Sequence, residues 1–137
     1  MLFESQQPHI NFANWGQIRK VPPALVYSIM VFTPKWQPVT QTVPLLIPTQ
    51  EDLLAFQQGT LSVEQYRSNY TNHLAHNLPS LPPDALLDSR GLLVPSGAYL
   101  CCSCSKEKAF ESKCHRVWAA HVLKEVGWLV SVDGEVI

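Results

Sequence analysis

Apolar and polar positions alternate most clearly over the last forty residues of the chain. Residues 98–104, Ala-Tyr-Leu-Cys-Cys-Ser-Cys, read as a strand rich in small and apolar side chains. A polar loop follows, and then Trp118, Val122 and Val126 recur at i, i+4 and i+8 with Ala119 and Leu123 beside them. That stripe predicts an amphipathic helix. Trp128 to Val132 is a second apolar, strand-like run. Strand, helix and strand in succession predict a parallel pair joined by a right-handed crossover. One turn back along the stripe, His115 leans toward the body of the protein, Cys114 sits on the flank and Arg116 on the other edge.

Earlier patterning is less regular. Residues 24–32 predict a buried strand, rich in β-branched and aromatic side chains. Residues 33–38 hold two prolines and leave the sheet. Residues 43–48 are an edge strand or a loop lining the core. Thr49 starts a helix that Gly59 ends, and Ser62 with Gln65 starts a second, whose Tyr66, Tyr70, His73 and Leu74 share one face through about Leu78. A short third helix is expected over 84–90, and Val94 to Gly97 reads as a turn. Residues 1–23 are expected to be an N-terminal arm with Phe12 and Trp15 docked on the body. The expected architecture is a single compact α/β domain over 24–137, with a small mixed or parallel sheet flanked by helices and a C-terminal β-α-β unit.

Composition sharpens this only a little. The chain has 137 residues, 46% apolar and 15% charged, which suits one folded domain rather than a disordered segment. A net charge of −1 gives no general attraction to nucleic acid. No run approaches the length of a membrane span, and the N-terminus lacks the pattern of a signal peptide. All four cysteines fall between residues 101 and 114, three too close together to pair comfortably, so reduced thiols in a cytoplasmic setting are expected.

Candidate chemistry gathers at the start of the last helix. With Ser112 as N-cap, Lys113, Cys114 and His115 occupy the first turn, where backbone N–H groups and the helix dipole favour an anion. Lys113 and Arg116 add charge, so a phosphate or carboxylate fits there, and an ordinary capped helix with solvated basic residues is the plain alternative. Cys114 in that field is a candidate nucleophile; otherwise it is a structural cysteine. His115, on a different helical face, is a poor base for it, so His73 or His76 would have to serve. No cofactor is required. The alternative is a zinc site from Cys102, Cys104, Cys114 and His115, against which stand the C-x-C spacing and the divergence of adjacent helical residues. His73 and His76, at i and i+3, otherwise form a half-exposed helix face.

An apolar strand ending in cysteine, a short loop, then Cys-His-Arg opening a helix resembles the family called domain of unknown function 488. The matching residues are Leu100 through Cys104 and Cys114-His115-Arg116. Pro34-Lys35-Trp36, Pro48, Tyr66-Arg67, Tyr70 and Leu74 are similar to a divergent branch, so the resemblance covers residues 25–133. The Asp-Val-Arg-like motif of the family's N-terminal strand is absent. The resemblance implies a compact α/β fold with a polar pocket at the strand–helix junction, and proposals for the family lean toward nucleotide or nucleic-acid metabolism.

Two functions are therefore expected. In the first, the domain binds or acts on a phosphate-bearing small molecule such as a nucleotide. Arg116, Ser112, Lys113 and the first-turn amides hold the anion, Cys104 and Cys114 line the pocket, and His115 positions or transfers a proton. In the second, it is a non-catalytic interaction module with structural or zinc-bound cysteines, presenting Phe12, Trp15 and Trp36 to a protein partner.

Overall fold

A computed structural model describes residues 9–36, 41–78, 86–103 and 114–137. Five strands form one mixed sheet: β1 (His9–Asn14), β2 (Val26–Ser28), β3 (Ala98–Cys102), β4 (Leu129–Val132) and β5 (Glu135–Val136). Their order is β2-β3-β1-β4-β5. The first four pair with one another in parallel, and β5 runs antiparallel to β4. Three α-helices accompany them: α1 (Gln50–Gln57), α2 (Val63–Asn77) and α3 (His115–Glu125). The protein is thus a single α/β domain, as the patterning predicts.

The largest correction concerns the N-terminus. Residues 9–14, expected within an arm, are the central strand of the sheet, so the domain begins well before residue 24. β1 pairs with β3 in the register Phe12↔Leu100 and with β4 in the register Phe12↔Val132. The strands flanking α3 are therefore not neighbours, because β1 lies between them. Ile10 and Phe12 are buried, whereas His9 and Asn11 are half-covered, so the alternation is polar enough to read as a loop. Asn11 is nevertheless tied into the sheet: its amide nitrogen donates to the carbonyls of Gly97 and Ala98 (3.3 Å each), and its oxygen accepts from the Ser131 hydroxyl at 2.6 Å.

α3 packs on β1, β3 and β4, and α2 packs on α3. The main core joins Ile10, Phe12, Leu100 and Val130 of the sheet to Leu74 of α2 and Trp118 and Leu123 of α3. A second cluster holds Ala13, Trp15, Ile18, Val26 and Cys101. Successive strand residues face opposite sides, so Cys101 and Cys102 divide between the two clusters.

Both early helices start where expected. The Thr49 hydroxyl accepts from the Asp52 amide at 3.2 Å, and Ser62 and Gln65 form a reciprocal capping box. Other expectations shift. The strand of residues 24–32 shortens to Val26–Ser28, after which Thr42 bridges to Ser28 and Val43 and Leu46 enter the core. The part of the expected third helix that is described, residues 86–90, is instead a turn closed by an antiparallel bridge between Leu87 and Leu93. Asp88 causes this: its carboxylate accepts from the amides of Arg90 (2.8 Å) and Leu92 (3.1 Å), offering the backbone an alternative to a helix. Among the described residues no helix is long and apolar enough to cross a membrane.

Candidate functional site

β3 delivers Cys102 to the core face at its C-terminal end, and α3 begins directly opposite. The N-cap of α3 is Cys114, with an extended backbone (φ −124°, ψ 137°), rather than Ser112. Cys104, Ser112 and Lys113 lie outside the described residues. The shifted cap changes the geometry. Because Cys114 is extended and not helical, the divergence expected between adjacent helical side chains does not separate it from His115. The Cys102 and Cys114 sulfurs lie 3.2 Å apart. These two sulfurs and one imidazole nitrogen of His115 all fall within 4.8 Å of one another, and all three residues are buried.

His115 is held from behind. Its Nε2 lies 2.7 Å from the carbonyl oxygen of Ile29, which can only accept, so Nε2 carries a proton. The ring also meets Tyr70 edge-on, with centroids 5.6 Å apart. Burial pushes the imidazole pKa below its ordinary value, with Arg116 acting in the same direction, while the field of Cys102 and the Ile29 carbonyl resist. The neutral imidazole then keeps a lone pair on Nδ1.

Arg116 departs most from expectation. It is fully buried rather than on a solvated edge. Its Nη1 donates to the Cys102 sulfur at 3.2 Å and the Cys114 sulfur at 3.6 Å, and its Nη2 to Asp133 Oδ2 at 3.0 Å. Burial alone would lower its pKa, but the field of Cys102 and the bond to Asp133 outweigh it and hold the guanidinium above its ordinary value. Asp133 reaches this position from the β4–β5 turn. Asp133 (φ 53°) and Gly134 (φ 87°) both have positive φ, as a two-residue type I′ hairpin requires. The sequence marks Asp133-Gly134 as a turn but does not show that its carboxylate turns inward.

A cavity of about 400 Å³ opens onto this cluster. Its walls are apolar and aromatic, including Met30, Phe32, Leu53, Phe56 and Tyr66, and Cys102, Ser103, Cys114 and His115 form its polar end. Cys101 is not part of it. That thiol is pushed up to about 12, by burial first and by the neighbouring Cys102 second. His73 and His76 are exposed on α2, away from the cluster, which removes them as bases for Cys114.

Comparison with protein-family profiles, with curated proteins and with solved structures gives no match.

Proposed function

We propose that the domain is a small-molecule-binding enzyme whose pocket places an apolar or aromatic ligand body against a thiol–imidazole floor. The observation that carries this reading is one cavity shared by aromatic walls and by Cys102, Cys114 and His115. A pocket of this size with few convergent polar groups is the usual form of a ligand site. Cys114 is the nucleophile, and His115 Nδ1 takes up the thiol proton. Arg116 contributes from inside: a guanidinium bonded to both sulfurs favours their thiolate forms. Its pairing with Asp133 makes it a support of the thiols rather than a clamp on a dissolved anion.

A phosphate-bearing ligand remains the first class to screen, because the N-terminus of α3 brings its positive end to the same floor. Kinship with domain of unknown function 488 is proposed on the Cys-His-Arg residues alone. The interaction-module reading loses Phe12 and Trp15, which are buried in the two core clusters, and keeps Trp36, which is 71% exposed, with Phe32 (56% exposed) close to it in sequence.

Alkylation of the folded, reduced and metal-stripped protein with a small aromatic maleimide, followed by peptide mapping, tests the pocket. The expected result is label on Cys114 and none on Cys101, loss of that label in Cys114→Ser, and protection by any pocket ligand, with nucleoside phosphates tried beside uncharged aromatics. Cys114 that reacts only after denaturation would remove the pocket reading.

A further inference from the structure

We infer that Cys102, Cys114 and His115 form a three-ligand site for a thiophilic divalent ion, zinc in the first instance, with a fourth coordination position turned toward the cavity. The inference rests on the pocket reading for the fourth position only: with metal bound, Cys114 and His115 Nδ1 are ligands, and the nucleophile–base pairing belongs to the metal-free chain.

The donor set comes first. Two thiols and an imidazole within 4.8 Å of one another are borderline-soft ligands of the kind zinc selects. They come from the end of β3 and the cap of α3, which the parallel sheet and the core fix relative to each other. Tetrahedral zinc with Zn–S bonds of about 2.3 Å places two sulfurs roughly 3.8 Å apart. The observed 3.2 Å therefore has to open by only about half an ångström, within the reach of small side-chain rotations.

The surroundings fit as well as the donors do. A metal-binding histidine usually donates its other ring N–H to a carbonyl or carboxylate, which fixes the tautomer and aims the free lone pair. His115 does this through Nε2 to Ile29, leaving Nδ1 as the coordinating atom. The sulfurs likewise accept N–H bonds from Arg116, as metal thiolates do from outer partners.

Charge points the same way. Arg116 and Asp133 cancel each other. Two thiolates would leave the buried site with two uncompensated negative charges, and a divalent ion neutralises them with a neutral imidazole. A monovalent ion would leave one charge over. Buried charge without compensation is costly, so the site selects a divalent guest. All three ligands also line the cavity. Among the described residues the site has three protein ligands, and three with one open position are the arrangement of catalytic rather than structural zinc.

The test uses the whole chain, reduced with a phosphine and stripped of metal. Cobalt(II) alone and zinc(II) alone are titrated in, with metal per chain read by elemental analysis and cobalt binding by its thiolate charge-transfer absorption. The expected result is one metal per chain and a thiolate-to-cobalt band. Cys102→Ser, Cys114→Ser and His115→Ala should each weaken binding at least tenfold, while Cys101→Ser leaves it unchanged. Circular dichroism of each variant separates a lost ligand from a lost fold. Should a variant not fold, the titration of the parent chain decides alone. No metal uptake and no band, with Cys114 still labelled by the maleimide, would overturn the metal site and leave the pocket standing. Neither uptake nor labelling would overturn both. Uptake that Cys101→Ser abolishes and Cys114→Ser does not would place the metal elsewhere and overturn the assignment.

Discussion

The Nη2 atom of Arg116 and the Oδ2 atom of Asp133 lie 3.0 Å apart, with side-chain exposures of 0% and 7%, so this ion pair is removed from water at both ends. It ties the first turn of α3 to the β4–β5 hairpin from beneath the thiols. Breaking such a pair leaves a buried charge uncompensated, at a cost of about 3–5 kcal/mol. Asp133→Asn is the cleanest break, because asparagine tolerates the positive φ of this turn. The expected outcome is a loss of about 3 kcal/mol in urea unfolding, together with altered alkylation of Cys114. Adding Arg116→Met to that variant should restore part of the stability, since the pair is then replaced and not orphaned. A single variant as stable as the parent would show that the pair contributes nothing net.

Asp88 supplies a pH dependence of known sign. Its carboxyl is held below the ordinary carboxylate range, first by the Arg90 side chain and then by the amides of Leu92 and Arg90, against the opposing effect of burial. A folded-state value below the unfolded one contributes stability above the ordinary carboxyl pKa of about 4. That stability is lost as pH falls through the folded-state value. Asp88→Asn should therefore be less stable than the parent at about pH 7, and the gap should close at about pH 2. Denaturant midpoints of both proteins across that range check it; a gap independent of pH would show that shape, not charge, holds the turn.

Tyr70 is a separate strut. Its hydroxyl donates to the Leu46 carbonyl at 2.6 Å inside the core, while its ring braces His115. Burial pushes its pKa well above the ordinary value, so it stays a donor throughout the neutral range. Tyr70→Phe keeps the ring and strands the carbonyl, which should cost about 1–2 kcal/mol. Urea unfolding measures this. An unchanged midpoint would mean that Leu46 finds another donor.

The sequence discloses elements whose signals are local and hides those that depend on distant partners. Thr49 and Ser62 mark helix starts by chemistry within three residues, and both appear where expected. The run from Ala98 to Cys102 is a strand because small and apolar side chains suit a crowded sheet. β1 is harder to see, since His9 and Asn11 look like loop residues until Gly97, Ala98 and Ser131 supply their surroundings. Residues 86–90 look like the end of a helix until the Asp88 carboxylate takes the amides of Arg90 and Leu92 and makes them a turn. At the candidate site, the strand–helix junction and the names Cys114 and His115 are readable from the sequence. Their convergence is not, because it follows from Cys114 being an extended cap. Arg116 looks like a surface cation until Asp133, 17 residues later, accounts for its burial.

The position of β1 sets the order in which this protein can assemble. α1 and α2 have local caps and can begin to form as soon as they emerge from the ribosome. β1 is made first among the strands yet has no neighbours until residues 98–102 and then 129–132 exist. The sheet therefore closes by threading an early segment between two late ones, a slow step dominated by contacts distant in sequence. Until then Ile10 and Phe12 are exposed apolar residues on an unpaired strand, and they define the interval in which the nascent chain needs protection from aggregation.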